Sequence, residues 1–264
     1  MSWLRLMEES LQENEPSGEG SPLPVARKKH SPSELIRDMW PAYLIEIIVI
    51  ILGISISLGL EQWRDNSREY RLENIYLKNL LSDVEVDLQS LQNVIGGTGK
   101  VIVSGNELLK FARSTGMPDP PYQRVDSDVR AILSRPKFFS SDASFSDLKS
   151  SGNLHLIKDV QLKNLLFSFY NQTQNIRALQ DAEQQSTINL SGNYFLKHFP
   201  MDDRGPVTTN PEGAQTTALL KDFEFENHVL LRVLNRKELL EVYQMADSAG
   251  SQLKDELVKK IRSR

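Results

Sequence analysis

The sequence predicts an all-α protein: one membrane-crossing helix near the start, a long helix continuing from it, then a helical bundle. Three observations predict it. Residues 41–63 read "PAYLIEIIVIILGISISLGLEQW", apolar all round with Glu46 the one charge before Glu61. Leu77, Leu81, Val84, Leu88, Leu91 and Ile95 recur at alternating spacings of four and three, one helical seam. No stretch alternates apolar and polar residues, as a half-buried strand does, for more than a few positions.

The elements follow in order. Residues 9–33 are mostly Pro, Gly, Ser and Glu with little to form a core, so residues 1–38 are expected as a disordered tail. Its start, "MSWLRLMEESL", is amphipathic, with Trp3, Leu4 and Leu6 suited to a membrane surface. Residues 39–63 form the expected span. Tyr43 to Leu60 carries only Glu46 as a charge, and as a helix it covers about 27 Å, close to a hydrocarbon core of about 30 Å. Trp40 and Tyr43 mark one edge and Trp63 the other, where aromatic rings sit at the headgroups. A cleaved signal would begin nearer the start and end in a small-residue site. A core helix would be amphipathic.

Glu46 lies three residues inside Tyr43, about 4–5 Å below the boundary. There it can snorkel to water; at the midplane it would cost about 2.5–3.5 kcal/mol. Two readings stay open: an interfacial carboxylate near water, or a contact point for another span or a cation. Gly53/Ser57 and Ser55/Gly59 are small residues four apart, a spacing that lets two helices approach closely. Glu46, Gly53 and Ser57 are therefore the candidate contacts of a homodimer in the bilayer. Four basic residues precede the span (Arg27, Lys28, Lys29, Arg37) and four follow it (Arg64, Arg68, Arg71, Lys78). The compact "RKK" cluster favours the N-terminus inside and the C-terminal part outside the cytoplasm.

Residues 64–264 are expected as one helical domain. Trp63 and Tyr70 extend the seam by sevens, so the span should run into a long helix. "GGTG", Gly96–Gly99, should end it, with a hairpin partner from Val101 to about Ser114 stopped by "TGMPDPP". Asp126 can cap a short helix holding Val129, Ile132 and Leu133. "SFSDLKSSG" reads as another, closed by Gly152 at positive φ with Asn153 bonding locally. Asp159 starts a long segment with Leu162, Leu166, Phe169, Ile176 and Leu179 on one face, continuing toward Phe195. Gly205, Pro206, Pro211 and Gly213 break it. The last segment, about 216–264, carries Leu230, Leu234, Leu240, Tyr243, Leu253, Leu257 and Ile261. Together these make an all-α bundle.

Composition narrows the chemistry. There is no cysteine, which excludes disulfides, cysteine-ligated metal and thiol catalysis. The net charge is −4 and evenly spread, with no basic stripe to neutralise phosphates, so no nucleic-acid partner is expected. "GGTGK", 96–100, falls short of a phosphate loop because Val94 and Val101 stand where Gly and Ser or Thr belong. S-x-x-K recurs at Ser134/Lys137, Ser146/Lys149 and Ser251/Lys254, three scattered hits without the companion motifs of serine acyl transfer. His30, His155, His198 and His228 have no partner four residues away, so no metal site is expected. Asp83 and Asp87 share a helix face, most simply a solvated one. No catalytic, cofactor-binding or metal residue is assigned.

The order of three segments carries a resemblance. They are "EIIVIILGISISLGLEQWRD", "YLKNLLSDVEVDL" and "FSDLKSSGNLHLIKDVQLKNLLFSFY". The chain resembles the bacterial single-span proteins grouped as domain of unknown function DUF6090, over roughly residues 40–260. Glu46, Ile47, Gly53, Trp63, Tyr76–Leu77, Ser151–Leu154, Leu156–Ile157 and Leu162 match its pattern. Gln62 stands where the family usually has Asn, and Ser55 and Ser57 replace more apolar residues. The resemblance implies a bacterial membrane protein with a helical extramembrane domain, and no activity.

The functional expectation is a non-enzymatic binding or scaffold module in the bacterial inner membrane, its C-terminal domain periplasmic. Its partners are the lipid bilayer, a second copy through the span, and an unknown protein. Phe138, Phe139 and Phe145, in a loop over 135–155, are the candidate exposed partner surface. The alternatives are a signalling subunit acting through a helix dimer and a membrane-tethered hydrolase.

Overall fold

The structure, a computed structural model, describes residues 32–114, 122–203, 205–206 and 219–263. The amphipathic start with Trp3, Leu4 and Leu6, His30, and the breaks at Pro211 and Gly213 lie outside the described residues. The elements are α1 (Pro32–Arg113), α2 (Tyr122–Leu133), α3 (Ala143–Ser150), a single 3₁₀ turn (Asn153–Leu156) and α4 (Val160–Ser186). A π-helical segment (Thr187–Gly192), α5 (Asn193–His198), β1 (Met201–Asp202), β2 (Gly205–Pro206) and α6 (Phe223–Arg262) complete them. The protein is all-α. β1 and β2 form one antiparallel pair, with Met201 opposite Pro206. The chain divides into two units, residues 1–62 and 63–264.

In the first unit, every side chain from Tyr43 to Gln62 is exposed. α1 already starts at Pro32, where the reading expected tail to residue 38. Proline suits a first helical position because its missing N–H would lack a partner there anyway.

In the second unit, α1 buries Leu77, Leu80, Val84, Asp87, Leu91, Val94, Thr98, Val101 and Leu108. Leu77, Val84 and Leu91 are positions of the expected seam, and Leu80, Asp87 and Val94 alternate with them. Leu81, Leu88 and Ile95 flank this stripe, half-buried. The expected hairpin at "GGTG" is not there, because α1 runs on to Arg113. Glycine weakens a helix by about 1 kcal/mol relative to alanine, but packing on both sides of the motif outweighs that. Two glycines of this stretch admit close neighbours. A Cβ on Gly97 would meet Pro136 Cβ at 3.0 Å, and one on Gly105 would overlap Val233.

α2 begins at Tyr122, so Asp126 lies inside it rather than capping it. α3 and the 3₁₀ turn are joined by Gly152 at φ +73°, a conformation that favours glycine. Asp159 caps α4 as expected, its carboxylate accepting from the backbone N–H of Gln161 (3.0 Å) and Leu162 (3.2 Å). Those bonds and Lys260 hold its pKa below the usual value. Leu162, Leu166, Phe169 and Ile176 are buried. On α6 the reading needs correction. Leu234 is exposed, whereas Arg232 and Arg236 are buried.

Two cores result. One joins Leu77, Leu80, Leu91 and Val94 of α1 to Phe145 and Leu148 of α3, Phe169 and Tyr170 of α4, and Tyr243 and Leu253 of α6. The other joins Val101 and Leu108 of α1 to Val129 and Ile132 of α2, Phe195 of α5, and Phe225 and Val229 of α6.

Candidate functional site

Two places are candidates for function: the apolar stretch of α1 and the segment between α2 and α3. On the first, Glu46, Gly53 and Ser57 are all exposed. Their spacings of seven and four residues place them on one helical face. A Cβ on Gly53 or Gly59 would meet nothing within 4 Å, so this face is open. The stretch satisfies length and composition for a membrane crossing, and none of it is buried in the protein.

The second place is Ser134–Asp142, which joins α2 to α3 without regular structure. It is pinned by side chains from α1, α4 and α6. Arg232 donates to Ile132 O (2.7 Å) and Ser134 O (2.7 Å). Arg236 donates to Pro136 O at 3.1 Å. The Gln180 amide accepts from Phe138 N (2.7 Å) and donates to Phe138 O (3.0 Å), the double bond a neighbouring strand would make. Tyr243 also donates to Gln180 Oε1, at 3.1 Å. Lys137 bonds Gln184. Glu183 is the counter-charge, paired with Arg232 and 3.2 Å from Arg236. Burial lowers the pKa of Arg232 to about 9, with Arg236 and Arg135 adding repulsion. Burial likewise lowers Arg236 to about 10. Both guanidiniums stay charged at neutral pH.

Further along the segment, Asp87 takes the Ser140 hydroxyl (2.7 Å) and the Ser141 N–H (2.6 Å). Asp83 accepts from Ser144 N at 3.0 Å. Ser144 is the second residue of α3, and the helix's own cap residue, Asp142, makes no side-chain bond. Asp83 therefore caps α3 from another helix. This corrects the solvated-face reading: Asp87 is fully buried. Burial pushes its carboxyl pKa up against the pull of Ser140 and Ser141, with Asp83 and Asp142 adding to the rise.

The expected aromatic surface is also corrected. Phe138 is 3% exposed and Phe145 4%, and only Phe139 projects, at 77%. Phe145 stacks on Tyr170 with ring centres 4.3 Å apart. Alternation along an extended chain puts Phe138 inward and Phe139 outward.

The second and third of the three segments that carry the resemblance meet. Tyr76 Oη donates to Asp147 Oδ2 at 2.7 Å and accepts from Asn153 Nδ2 at 2.9 Å. Asn153 thus bonds across to α1, not locally as its sequence neighbourhood suggests. The network fastens the "SGNL" turn to α1.

The motifs considered for catalysis separate. Lys137 is engaged with Gln184, Lys254 lies 3.0 Å from Glu85, and Lys149 sits over the Phe145 ring. No Ser–Lys pair of the three is bonded among the described residues. One serine–histidine contact, invisible in sequence, does form: Ser191 Oγ lies 3.2 Å from His228 Nδ1. Ser191 is buried in the π-helical segment. The Tyr194 ring packs on both His198 (4.5 Å) and His228 (4.6 Å). Burial raises the Tyr194 pKa to about 12, helped by Asp222 and Glu224. Burial lowers that of His228; Glu224 opposes the shift and His198 reinforces it. Among the described residues no group of three His, Asp or Glu side chains is arranged to hold a metal.

No family model, curated protein or solved structure matches this chain.

Proposed function

We propose that the protein is a membrane-anchored helical binding module without chemistry of its own. The observation that carries this reading is the run from Tyr43 to Leu60 on α1, exposed along its whole length and uncharged but for Glu46. Left in water, so long an apolar surface would cost far more than the helix gains, and a bilayer removes it. The resemblance to DUF6090 supports a bacterial inner membrane, and the "RKK" cluster supports a periplasmic C-terminal unit. In that unit, side chains with strong chemistry are spent on holding the chain together. Arg232, Arg236, Glu183, Asp83 and Asp87 all serve the 134–144 segment. Phe139 is its projecting contact.

A membrane-tethered hydrolase would have to use Ser191 and His228. Burial of Ser191 in a helix interior weighs against it.

The test is topology. The chain has no cysteine, so single Gly18→Cys and Ser251→Cys variants report cleanly in intact cells treated with a membrane-impermeant maleimide. Labelling at position 251 alone is the expected result. Labelling at 18 alone overturns the periplasmic placement, and release of the protein by alkaline washing of membranes overturns the anchor.

A further inference from the structure

We infer that the outward face of α1 just past the apolar stretch, carrying Arg64, Arg68 and Arg71, holds anionic lipid headgroups by their phosphates. The inference rests on the reading of that stretch as a membrane span. The three arginines stand four and three residues apart, which sets them on one helical face. Ile75 and Lys78 continue it, and all five side chains are exposed.

This part of α1 is sorted by charge. Glu61, Asp65, Glu69 and Glu73 recur every fourth residue, a step that turns about 40° round a helix. They pass from the flank of the arginine face to the buried side. Glu69 lies 3.8 Å from Lys158, and Glu73 is buried, as are Tyr76 and Leu77. Arg113 and Arg130 of the same unit reach the carboxylates of Glu226 and Asp202. Arg64, Arg68 and Arg71 reach no carboxylate among the described residues. Their guanidiniums are left for a partner outside the chain.

Position along the chain selects that partner. Arg64, Arg68 and Arg71 follow Leu60 by four, eight and eleven residues on α1, about 6, 12 and 16 Å of helical rise. Each headgroup layer is about 5–8 Å deep, half the difference between a bilayer of about 40–45 Å and its core of about 30 Å. Helical side chains tilt toward the N-terminus, which on α1 is the direction of the apolar stretch. Long basic side chains near the end of a span snorkel to the interface. Arg64 therefore stands among headgroups, Arg68 reaches back to them, and Arg71 stands at their outer edge. A guanidinium grips phosphate through two parallel N–H bonds, which an ammonium cannot do. The first lysine on this face, Lys78, follows Leu60 only by eighteen residues. An acidic protein would suit the same charges, but with the span in a membrane, lipid phosphates lie beside these arginines at all times.

The test uses the full-length chain reconstituted in vesicles of equal parts phosphatidylcholine and phosphatidylglycerol. Trp3→Phe and Trp40→Phe leave Trp63 as the one tryptophan, next to Arg64. Its fluorescence is read with one or the other lipid brominated on its acyl chains. A basic residue near the surface favours anionic lipid by about fivefold, so Trp63 is expected to select phosphatidylglycerol by about fivefold or more. Arg64→Gln, Arg68→Gln and Arg71→Gln together bring the two lipids level, with helix content unchanged by circular dichroism. Equal quenching in the parent chain overturns the inference while the anchor stands, and frees the face for an acidic protein. A preference that survives the triple substitution places the lipid on other residues and also overturns it. Absence of quenching by either lipid removes the anchor and the inference together.

Discussion

Replacing both Gly96 and Gly99 with alanine should stabilise the protein, although the motif that holds them looks like a turn. In the structure both lie within α1, and a Cβ on either would meet nothing within 4 Å. Glycine in a helix interior is about 0.8–1.0 kcal/mol less favourable than alanine. The two lie three residues apart on one helix, so the summed gain of about 2 kcal/mol is its upper value. For a folded unit of about 200 residues, each kcal/mol moves the midpoint by about 2–4 °C, so a rise of up to about 4–8 °C is expected. Thermal melts of the detergent-purified protein by far-ultraviolet circular dichroism measure it. Gly105→Ala is the internal contrast. Its new methyl group overlaps Val233, whose β-branched side chain is stiff. Overpacking costs about 1–3 kcal/mol, more than the helix gains, so that variant should melt lower. A double variant that melts below the parent would refute the reasoning. It would mean that the chain turns at "GGTG" and needs glycine there.

Three further outcomes follow from the buried side chains. Glu183→Gln leaves two buried guanidiniums without a counter-charge, so a loss of about 3–5 kcal/mol is expected in denaturant titration; a loss below about 1 kcal/mol would show the cluster is hydrated. Phe138→Ala should cost about 3–5 kcal/mol and Phe139→Ala about 0.5 kcal/mol or less, and equal effects would contradict their opposite orientations. His228 has a folded pKa below its unfolded value of about 6.5, so the unfolded chain takes up the proton first. Its contribution is complete above about pH 6.5 and is lost as pH falls from there through the folded pKa. Melting midpoints at pH 7.5 and 5.5 should therefore differ more for the parent than for His228→Phe, and identical differences would show that His228 is solvated.

Much of the architecture was legible because it rests on period and composition. The apolar stretch, the helical seams, the Asp159 cap and the positive φ at Gly152 each have a local cause that a sequence displays. What stayed hidden has long-range causes. On α1 the pattern displays Leu77, Val84 and Leu91 but not Asp87 and Thr98, which are buried and polar. The same happened on α6, where Arg232 and Arg236 occupy seam positions while Leu234 faces solvent. A hydrophobicity pattern cannot show that a charged residue is buried until its partner is known. Glu183 lies about fifty residues before those arginines. For Phe138 and Phe145 a signal was available: "SSDASFSDLKS" is an amphipathic turn and wants Phe145 inside. Reading the aromatics as one cluster obscured it.

The polar seam and the irregular segment explain each other. Ser134–Asp142 runs without regular structure, with Phe138 inside and Ser134, Arg135, Phe139 and Asp142 exposed, and the backbone groups it turns inward must find partners. The helices supply them: Arg232 for the Ser134 carbonyl, Arg236 for that of Pro136, Gln180 for both groups of Phe138 and Asp87 for the Ser141 N–H. From Ser134 to Phe138 the spacing of two is the repeat of a strand, so Arg232, Arg236 and Gln180 act as a strand edge assembled from two helices. Leucine at any of the four positions would leave a carbonyl, an N–H or a hydroxyl unbonded in the interior. That is why hydrophobic residues are missing from those points of the seam. The arrangement also sets the register. A one-residue slip would turn Phe138 out and Phe139 in and break every one of these bonds. The segment that presents Phe139 is therefore held in one position by the core itself.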